Sequence, residues 1–243
     1  MSCLLQVENM TKRFGGLVAN SNISFECSQS EIISLIGPNG AGKTTAFNCI
    51  NGFLHPDGGS IKLNGQELIG KPVYKICQVG IARTFQIVKI IETMSTIENV
   101  MVGAFCNTTS TVIAKKKALK VMEIVQIEHL RDTASASLTL AQKRRVEMAR
   151  ALATQPILML LDECMAGLTI SEIGDAMKVI RNIRDIGISV VLVEHIMEAV
   201  MSISDRIVVI NFGEKIADGT PIEIASNQQV INAYLGEEYH VSD

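Results

Sequence analysis

Apolar positions follow three patterns along this chain. Over the first thirty residues they alternate with polar ones, at Leu5 and Val7, then Ile23, Phe25 and Cys27. A period of two predicts half-buried antiparallel strands, with a turn near Gly15-Gly16. Pro56-Asp57-Gly58-Gly59 predicts a second turn, followed by a short strand over 60–65 that ends in another turn. Continuous apolar runs at 31–36, 157–161, 188–193 and 206–210 predict strands buried on both faces. Between two of them, 172–186 carries Ile173, Met177, Ile180 and Ile183 at helical spacing. Strand, helix and strand in this order predict an α/β fold with a mostly parallel sheet and flanking helices. Residues from about 96 to 152 break the pattern and carry no convincing strand. There 115–130 sets Ala118, Val121, Met122, Val125 and Leu130 on one face, and 145–152 reads as another helix. This stretch is read as a helical insertion, with Lys115-Lys116-Lys117 on a solvated helix face.

Composition narrows the classes. Apolar residues make up 47% of 243, enough for a substantial core. A net charge of −3 argues against a broad nucleic-acid-binding face, and the absence of Trp argues against a base-stacking one. No apolar run approaches the roughly 20 residues that span a bilayer. Met1-Ser2-Cys3-Leu4-Leu5-Gln6 has no basic region followed by an apolar stretch, so no signal peptide is expected. Cysteines at 3, 27, 49, 77, 106 and 164 form no C-x-x-C pair and no cluster with His. They are expected to be reduced core residues of a cytosolic protein rather than zinc ligands.

The chemistry enters at Gly37-Pro38-Asn39-Gly40-Ala41-Gly42-Lys43-Thr44-Thr45, which fits the phosphate-binding pattern G-x-x-x-x-G-K-[ST]. Glycines let backbone N–H groups turn inward around a phosphate chain. Lys43 offers an ammonium to the β- and γ-phosphates, and the Thr44 hydroxyl can ligate Mg²⁺. A buried strand at 31–36 feeds the loop, and a helix is expected from Thr45, so the helix N-terminus meets the phosphates. Further on, the apolar run 157–161 ends in Asp162-Glu163. Acids at the carboxyl end of a parallel strand suit a metal-holding Asp162 and a water-orienting Glu163.

With these motifs in order, the chain resembles an ATP-binding cassette (ABC) transporter ATPase over about residues 4 to 236. The resemblance implies one ABC ATPase domain over 1–243, with an N-terminal antiparallel β subdomain and a helical subdomain at about 90–152. It implies ATP and Mg²⁺ as ligands. Phe14 matches the aromatic that stacks on adenine, and Val18 would pack near the same base. Asn39, Gly40, Ala41, Gly42, Lys43, Thr44 and Thr45 would hold the phosphates. Gln86 matches the glutamine that touches Mg²⁺ and water, and His195 the histidine that contacts the γ-phosphate. Thr44, Gln86 and Asp162 would hold the metal, and Glu163 and His195 would be catalytic. His55, His129 and His240 match no motif and are read as surface residues.

Two stretches, Gly80-Ile81-Ala82-Arg83-Thr84-Phe85-Gln86 with Met94-Ser95-Thr96-Ile97-Glu98-Asn99-Val100, and Ser204–Asn211 with Asp218-Gly219-Thr220-Pro221, are similar to one ATPase of the branched-chain amino acid importers. So is the ending Ala233-Tyr234-Leu235-Gly236-Glu237. That implies a cytoplasmic subunit held at the inner face of the membrane by two permease subunits, with a second ATPase and an extracytoplasmic solute-binding protein, and no nucleic acid. Alternatives are an exporter of lipid or lipopolysaccharide, and a weakly hydrolysing regulatory half.

The sequence departs from the family pattern at its signature. Leu138-Thr139-Leu140-Ala141-Gln142 stands for the usual Leu-Ser-Gly-Gly-Gln. Thr139, Ala141 and Gln142 would touch the partner subunit's nucleotide. Ala141 would crowd that phosphate or block a positive φ. Cys164 replaces the usual proline, Thr169 the usual Asp or Asn, and Ile196 a frequent Asp. These changes imply unequal ATP sites in a heterodimer.

Overall fold

The computed structural model describes residues 3–238, with side chains through Tyr234. The chain opens with strands β1 (Cys3–Phe14), β2 (Leu17–Ser28) and β3 (Ile32–Ile36), then helix α1 (Lys43–Ile50). Strands β4 (Gly58–Leu63) and β5 (Gln66–Glu67), helix α2 (Val73–Gln78) and strand β6 (Ile81–Arg83) follow. Three helices come next, α3 (Thr96–Ala104), α4 (Thr111–Ile124) and α5 (Leu140–Leu152). Alternation then resumes with β7 (Leu158–Asp162), α6 (Ile170–Asp185), β8 (Ser189–Val193) and α7 (Met197–Ile203). The last elements are β9 (Arg206–Asn211), β10 (Glu214–Gly219), α8 (Pro221–Ala225) and α9 (Gln228–Glu238). Contacts divide the chain into two units, Met1–Ile76 with Val191–Asp243, and Cys77–Val190.

The first unit contains an antiparallel sheet in the order β2-β1-β4-β5. The expected alternation holds, with Leu5, Val7, Ile23, Phe25 and Cys27 all buried. It survives a break of phase. Asn9 takes φ +49°, and the register of β1 with β2 shifts between Val7 and Met10, so Met10 stays inside. Gly58 and Gly59, expected in a turn, instead start β4. Gly59 has φ +92°, and a Cβ there would come within 2.5 Å of the Glu8 and Asn9 carbonyl oxygens. Glycine is the residue that lets β4 run alongside the bulge of β1.

The same unit pairs β3 with β9 in parallel and β9 with β10 antiparallel. Every residue of β3 is buried, as the apolar run predicts. Its one polar side chain, Ser34, meets Ser204 at 2.6 Å, and Ser204 in turn donates to the Val200 carbonyl. Helices α7, α8 and α9 pack Val200, Ile224 and Val230 against Ile36, Ile207 and Val209.

Arg206 at the start of β9 grips Asp218 through two bonds, at 2.6 and 2.9 Å, and Lys215 adds a third at 3.1 Å. Burial alone would raise the Asp218 carboxyl, but these cations outweigh it and hold it below its ordinary value. A depressed folded-state pKa means stability that is present at neutral pH and lost as pH falls below the usual carboxylate range. Asp218→Asn is therefore expected to cost roughly 1–2 kcal/mol at pH 7 and progressively less as pH falls below the usual carboxylate range in urea titrations. A cost that did not shrink with falling pH would contradict an ionic origin.

In the second unit β6 pairs with β7 in parallel, and Ser189 at the start of β8 donates to the Ile157 carbonyl at the edge of β7. Helix α3 packs against α4 and α5. Helix α4 buries Ala114, Ala118, Val121 and Met122, with Val125 just beyond it, while Leu130 is half-buried. Lys115 and Lys116 are exposed, and Lys117 bonds Gln155 at 2.7 Å. In α6, Ile180 and Ile183 are buried as expected. Ile173 and Met177 are half-buried, and Ala176 and Val179 carry the rest of the face. The interval 96–152 contains helices and no strand among the described residues.

All six cysteines are free thiols. Cys27, Cys49 and Cys164 lie in the core. Cys3 is exposed and Cys77 and Cys106 are half-buried, which corrects the expectation that all would be core residues. Among the described residues no helix is long and apolar enough to cross a membrane.

Candidate functional site

Strand β3 delivers the chain into the loop 37–42, and α1 begins at Lys43, two residues earlier than the apolar pattern implied. Gly42 is the N-cap of α1 with φ +103°, and a Cβ there would strike the Ala19 carbonyl oxygen at 2.4 Å. Only glycine fits both demands. The loop is braced from two sides. Asn20 Nδ2 donates to the Gly42 carbonyl at 3.2 Å, and Gly213 N donates to the Ala41 carbonyl at 3.0 Å. Lys43 Nζ turns back into the loop and donates to the Gly37 and Pro38 carbonyls at 2.6 and 2.8 Å. A buried ammonium is thereby fixed inside a ring of backbone groups.

No side chain caps α1, and its first turn contains no acid. Its first N–H groups, with the positive end of the helix dipole, suit an anion. Asn39, Gly40 and Thr44 are exposed around this end, Thr45 is half-buried, and Ala41 is buried.

Phe14 and Val18 lie at the tip of the β1–β2 hairpin, on either side of the turn at Gly15-Gly16. Both are exposed large apolar side chains, at 47% and 38%. Lys12 Nζ sits 5.5 Å from the Phe14 ring centre, and Asp57 fixes this end of the hairpin by accepting from Arg13 N at 2.6 Å. A half-exposed aromatic ring at a hairpin tip offers surface on which a planar base can stack.

In the second unit the end of β7 presents Asp162 and Glu163. Arg83, the last residue of β6, donates to Asp162 Oδ2 at 2.7 Å, with the two side chains 8% and 3% exposed. The Thr84 hydroxyl accepts from Asp162 N at 3.3 Å. Glu163 takes φ +47°, in the left-handed region that a non-glycine residue rarely occupies. Its Oε2 accepts from Gln86 Nε2 at 2.7 Å. The structure thus brings Gln86 and Glu163 together. The contact that Arg83 makes with Asp162 is not among the expected site features. The sequence carried no signal for it, since the three-residue strand that ends in Arg83 and its pairing with β7 appear only in the structure.

Thr139 and Gln142 form a reciprocal capping box at the start of α5. The threonine hydroxyl accepts from Gln142 N, and Gln142 Oε1 accepts from Thr139 N at 2.9 Å. Ala141 lies in the first turn of that helix and has no positive φ, so its methyl meets no backbone strain. The three line a cavity of about 330 Å³ with His129, Arg145 and Glu172. Thr169 likewise caps α6 in a box with Glu172. Cys164 is buried.

His195 is exposed just after β8, next to buried Glu194. Ile196 is the N-cap of α7 and caps nothing with its side chain. His55 and His129 are exposed, and His240 lies outside the described residues.

Residues 20–166 match the ABC transporter family, and 214–240 match the family described as branched-chain amino acid ATP-binding cassette transporter. The chain is 40% identical to the high-affinity branched-chain amino acid transport ATP-binding protein BraF of Pseudomonas aeruginosa, covering 96% of this chain and 98% of that protein. Identity to LivG of Escherichia coli, described in the same words, is 41% over 96% and 98%. The lipopolysaccharide export ATP-binding protein LptB of Escherichia coli is 34% identical over 98% and 99%. Among solved structures, the ADP conformation of MJ1267, an ATP-binding cassette of an ABC transporter, superposes with a TM-score of 0.89 at 28% identity, covering 97% of this chain and all of that one. A braced phosphate loop, an acid pair at a strand end and a family match over most of the length agree, and the chain belongs to the ATP-binding subunits of the ABC transporters, a family of ATPases.

Proposed function

We propose that this ATPase drives import of branched-chain amino acids. The match of residues 214–240 to the branched-chain cassette family carries that cargo assignment. The 40–41% identity to BraF and LivG, against 34% to LptB, supports it. Lipopolysaccharide export is the competing reading. In this proposal the chain forms one ABC domain with a helical subdomain at about 90–152. It pairs with a second ATPase and docks at the inner face of the membrane on two permease subunits, served by an extracytoplasmic binding protein.

The reading assigns the residues of both units to one reaction, ATP and water to ADP and phosphate. Phe14 and Val18 hold the base. The loop residues Asn39 to Thr45 hold the phosphates through backbone N–H groups, with Lys43 as their counter-charge. The donors offered to a cation, the Thr44 hydroxyl, the Gln86 amide oxygen and the Asp162 carboxylate, are all oxygens, which fits Mg²⁺. Gln86 gives its Nε2 to Glu163, which leaves its amide oxygen as the group that would be offered to a metal. Bound Mg²⁺ supplies charge neutralisation at the phosphates. Glu163 orients the attacking water and takes its proton, and His195 supports the γ-phosphate.

Thr139, Ala141 and Gln142 serve the partner's nucleotide. Ala141 places a methyl where helix N–H groups approach phosphate, so the partner's site is the weaker one. Ala141→Gly is expected to raise turnover there about two- to tenfold without changing turnover at this chain's own site. The check is steady-state hydrolysis in a complex whose other site is silenced. No gain would end the asymmetry.

The test of cargo is reconstitution with both permeases and the second ATPase in vesicles. ATP-dependent uptake of leucine, isoleucine or valine, delivered by the binding protein, supports the proposal. Release of lipopolysaccharide instead would replace it.

A further inference from the structure

Two of the half-buried thiols lie against each other. Cys77 is in the last turn of α2, and Cys106 is in a single 3-10 turn, Phe105–Asn107, that follows α3. Their Sγ atoms are 3.9 Å apart, although the residues stand 29 positions apart in the chain.

Both backbones are fixed by their neighbours. Gly80 N donates to the Cys77 carbonyl at 3.1 Å, and the Gly80 carbonyl accepts from Ile157 N at 2.9 Å. Gly80 takes φ +113°, and a Cβ there would come within 2.8 Å of Ile157 Cγ1. On the other side, Gly103 packs α3 so closely on α5 that a Cβ would strike the Arg150 carbonyl oxygen. Asn107 Nδ2 donates to the Thr154 carbonyl at 2.6 Å. The Thr154 side chain in turn hydrogen-bonds Cys77. Both sulfurs are thus delivered by elements that rest on the end of α5 and its connection to β7.

A thiol pair this close has a chemistry that a single thiol lacks. A disulfide holds its sulfurs roughly 2 Å apart. Rotation about a Cα–Cβ bond between staggered wells carries a sulfur further than the remaining gap. Burial and the Cys106 sulfur push the Cys77 thiol up to about 11, so at neutral pH it stays protonated. Cys106 is therefore the sulfur that reacts first with an oxidant.

We propose that Cys77 and Cys106 form a redox modification site, a dithiol that a hydroperoxide converts to a disulfide. The peroxide O–O bond breaks as one oxygen passes to the Cys106 sulfur, giving a sulfenic acid and releasing water or an alcohol. The Cys77 sulfur then attacks the Cys106 sulfur. The S–O bond breaks, and the departing hydroxide leaves as water with the Cys77 proton. Two thiols lose two electrons and two protons, and the peroxide is reduced by the same two electrons. A thiol reductant reverses the change. In a compartment that keeps thiols reduced, such a bond is transient and reports oxidant rather than holding the fold. The site rests on the second unit alone and not on the proposed cargo.

Peptide mass mapping of the full chain tests the site. After hydrogen peroxide in small excess and alkylation of the remaining thiols, most molecules should yield linked peptides carrying Cys77 and Cys106. The linked pair should be two hydrogens lighter than the sum of the free peptides, and dithiothreitol should restore both. In Cys77→Ser the sulfenic acid on Cys106 loses its partner thiol, and its labelling by a cyclic 1,3-dione should rise about tenfold over wild type. Oxidised protein should unfold at a higher urea concentration than reduced protein, because the bond closes a ring in the unfolded chain.

Peroxide that leaves residues 77 and 106 unlinked, a link that forms only in urea, or a lower urea midpoint after oxidation would each overturn the proposal. The mapping and the midpoints use the wild-type chain, so they decide the matter even if Cys77→Ser does not fold.

Discussion

Glu163→Gln is expected to lower ATP turnover at this chain's site by roughly 10²–10⁴-fold, the usual share of a positioned general base. The substitution keeps the size of the side chain and removes its charge and its capacity to take a proton. In the structure Glu163 directly follows an entirely buried strand, sits at φ +47°, and meets Gln86 Nε2 at 2.7 Å. Its carboxylate is therefore aimed by a backbone that cannot easily relax. Nucleotide affinity should stay within a few-fold, because Lys43 and the α1 N-terminus are untouched. Phosphate release in a single turnover, compared with nucleotide binding by the same variant, separates the two effects. Equal loss of binding and turnover would mean that Glu163 holds the fold of the site rather than the water.

Arg83→Met should produce the largest loss of stability, about 3–5 kcal/mol, by leaving Asp162 buried without its ion partner. The two side chains are 8% and 3% exposed, so water cannot take over the contact. Removing both charges, as Arg83→Met with Asp162→Leu, should recover most of the loss, since the desolvation cost of the pair disappears with it. Urea titrations at constant m-value measure all three variants. A single-variant cost below about 1 kcal/mol would show that the pair behaves as a surface one. The pair also bears on function. The guanidinium holds in place the carboxylate that the proposal assigns to a divalent cation, and Arg83→Met loses that placement as well.

Period and motif made much of this molecule legible. The buried strands 157–161, 188–193 and 206–210 appear within one residue of β7, β8 and β9, because a run apolar on both faces has no other stable home. The start of β4 was misread because Pro-Asp-Gly-Gly is turn chemistry, and only the bulge at Asn9 on the neighbouring strand explains why Gly58 and Gly59 extend instead. Strand β6 is three residues long, too short for any period to register. The cysteines could not be sorted from composition, since Cys3 and Cys27 differ only in where their strands place them.

The site divides in the same way. By itself the sequence determined the chemistry. Lys43, Thr44, Asp162 and Glu163 are proposed from residue type and spacing within local elements, because phosphate, metal and water each demand particular groups, while Gln86 is proposed from the family resemblance alone. Tertiary structure decided what holds those groups. Asn20 and Gly213 brace the loop, Arg83 pins Asp162, and Glu147 grips the Gln86 segment across a separation of about sixty residues. Such partners leave no periodic trace, since a hydrogen bond or ion pair between distant segments depends on where the chain returns in space.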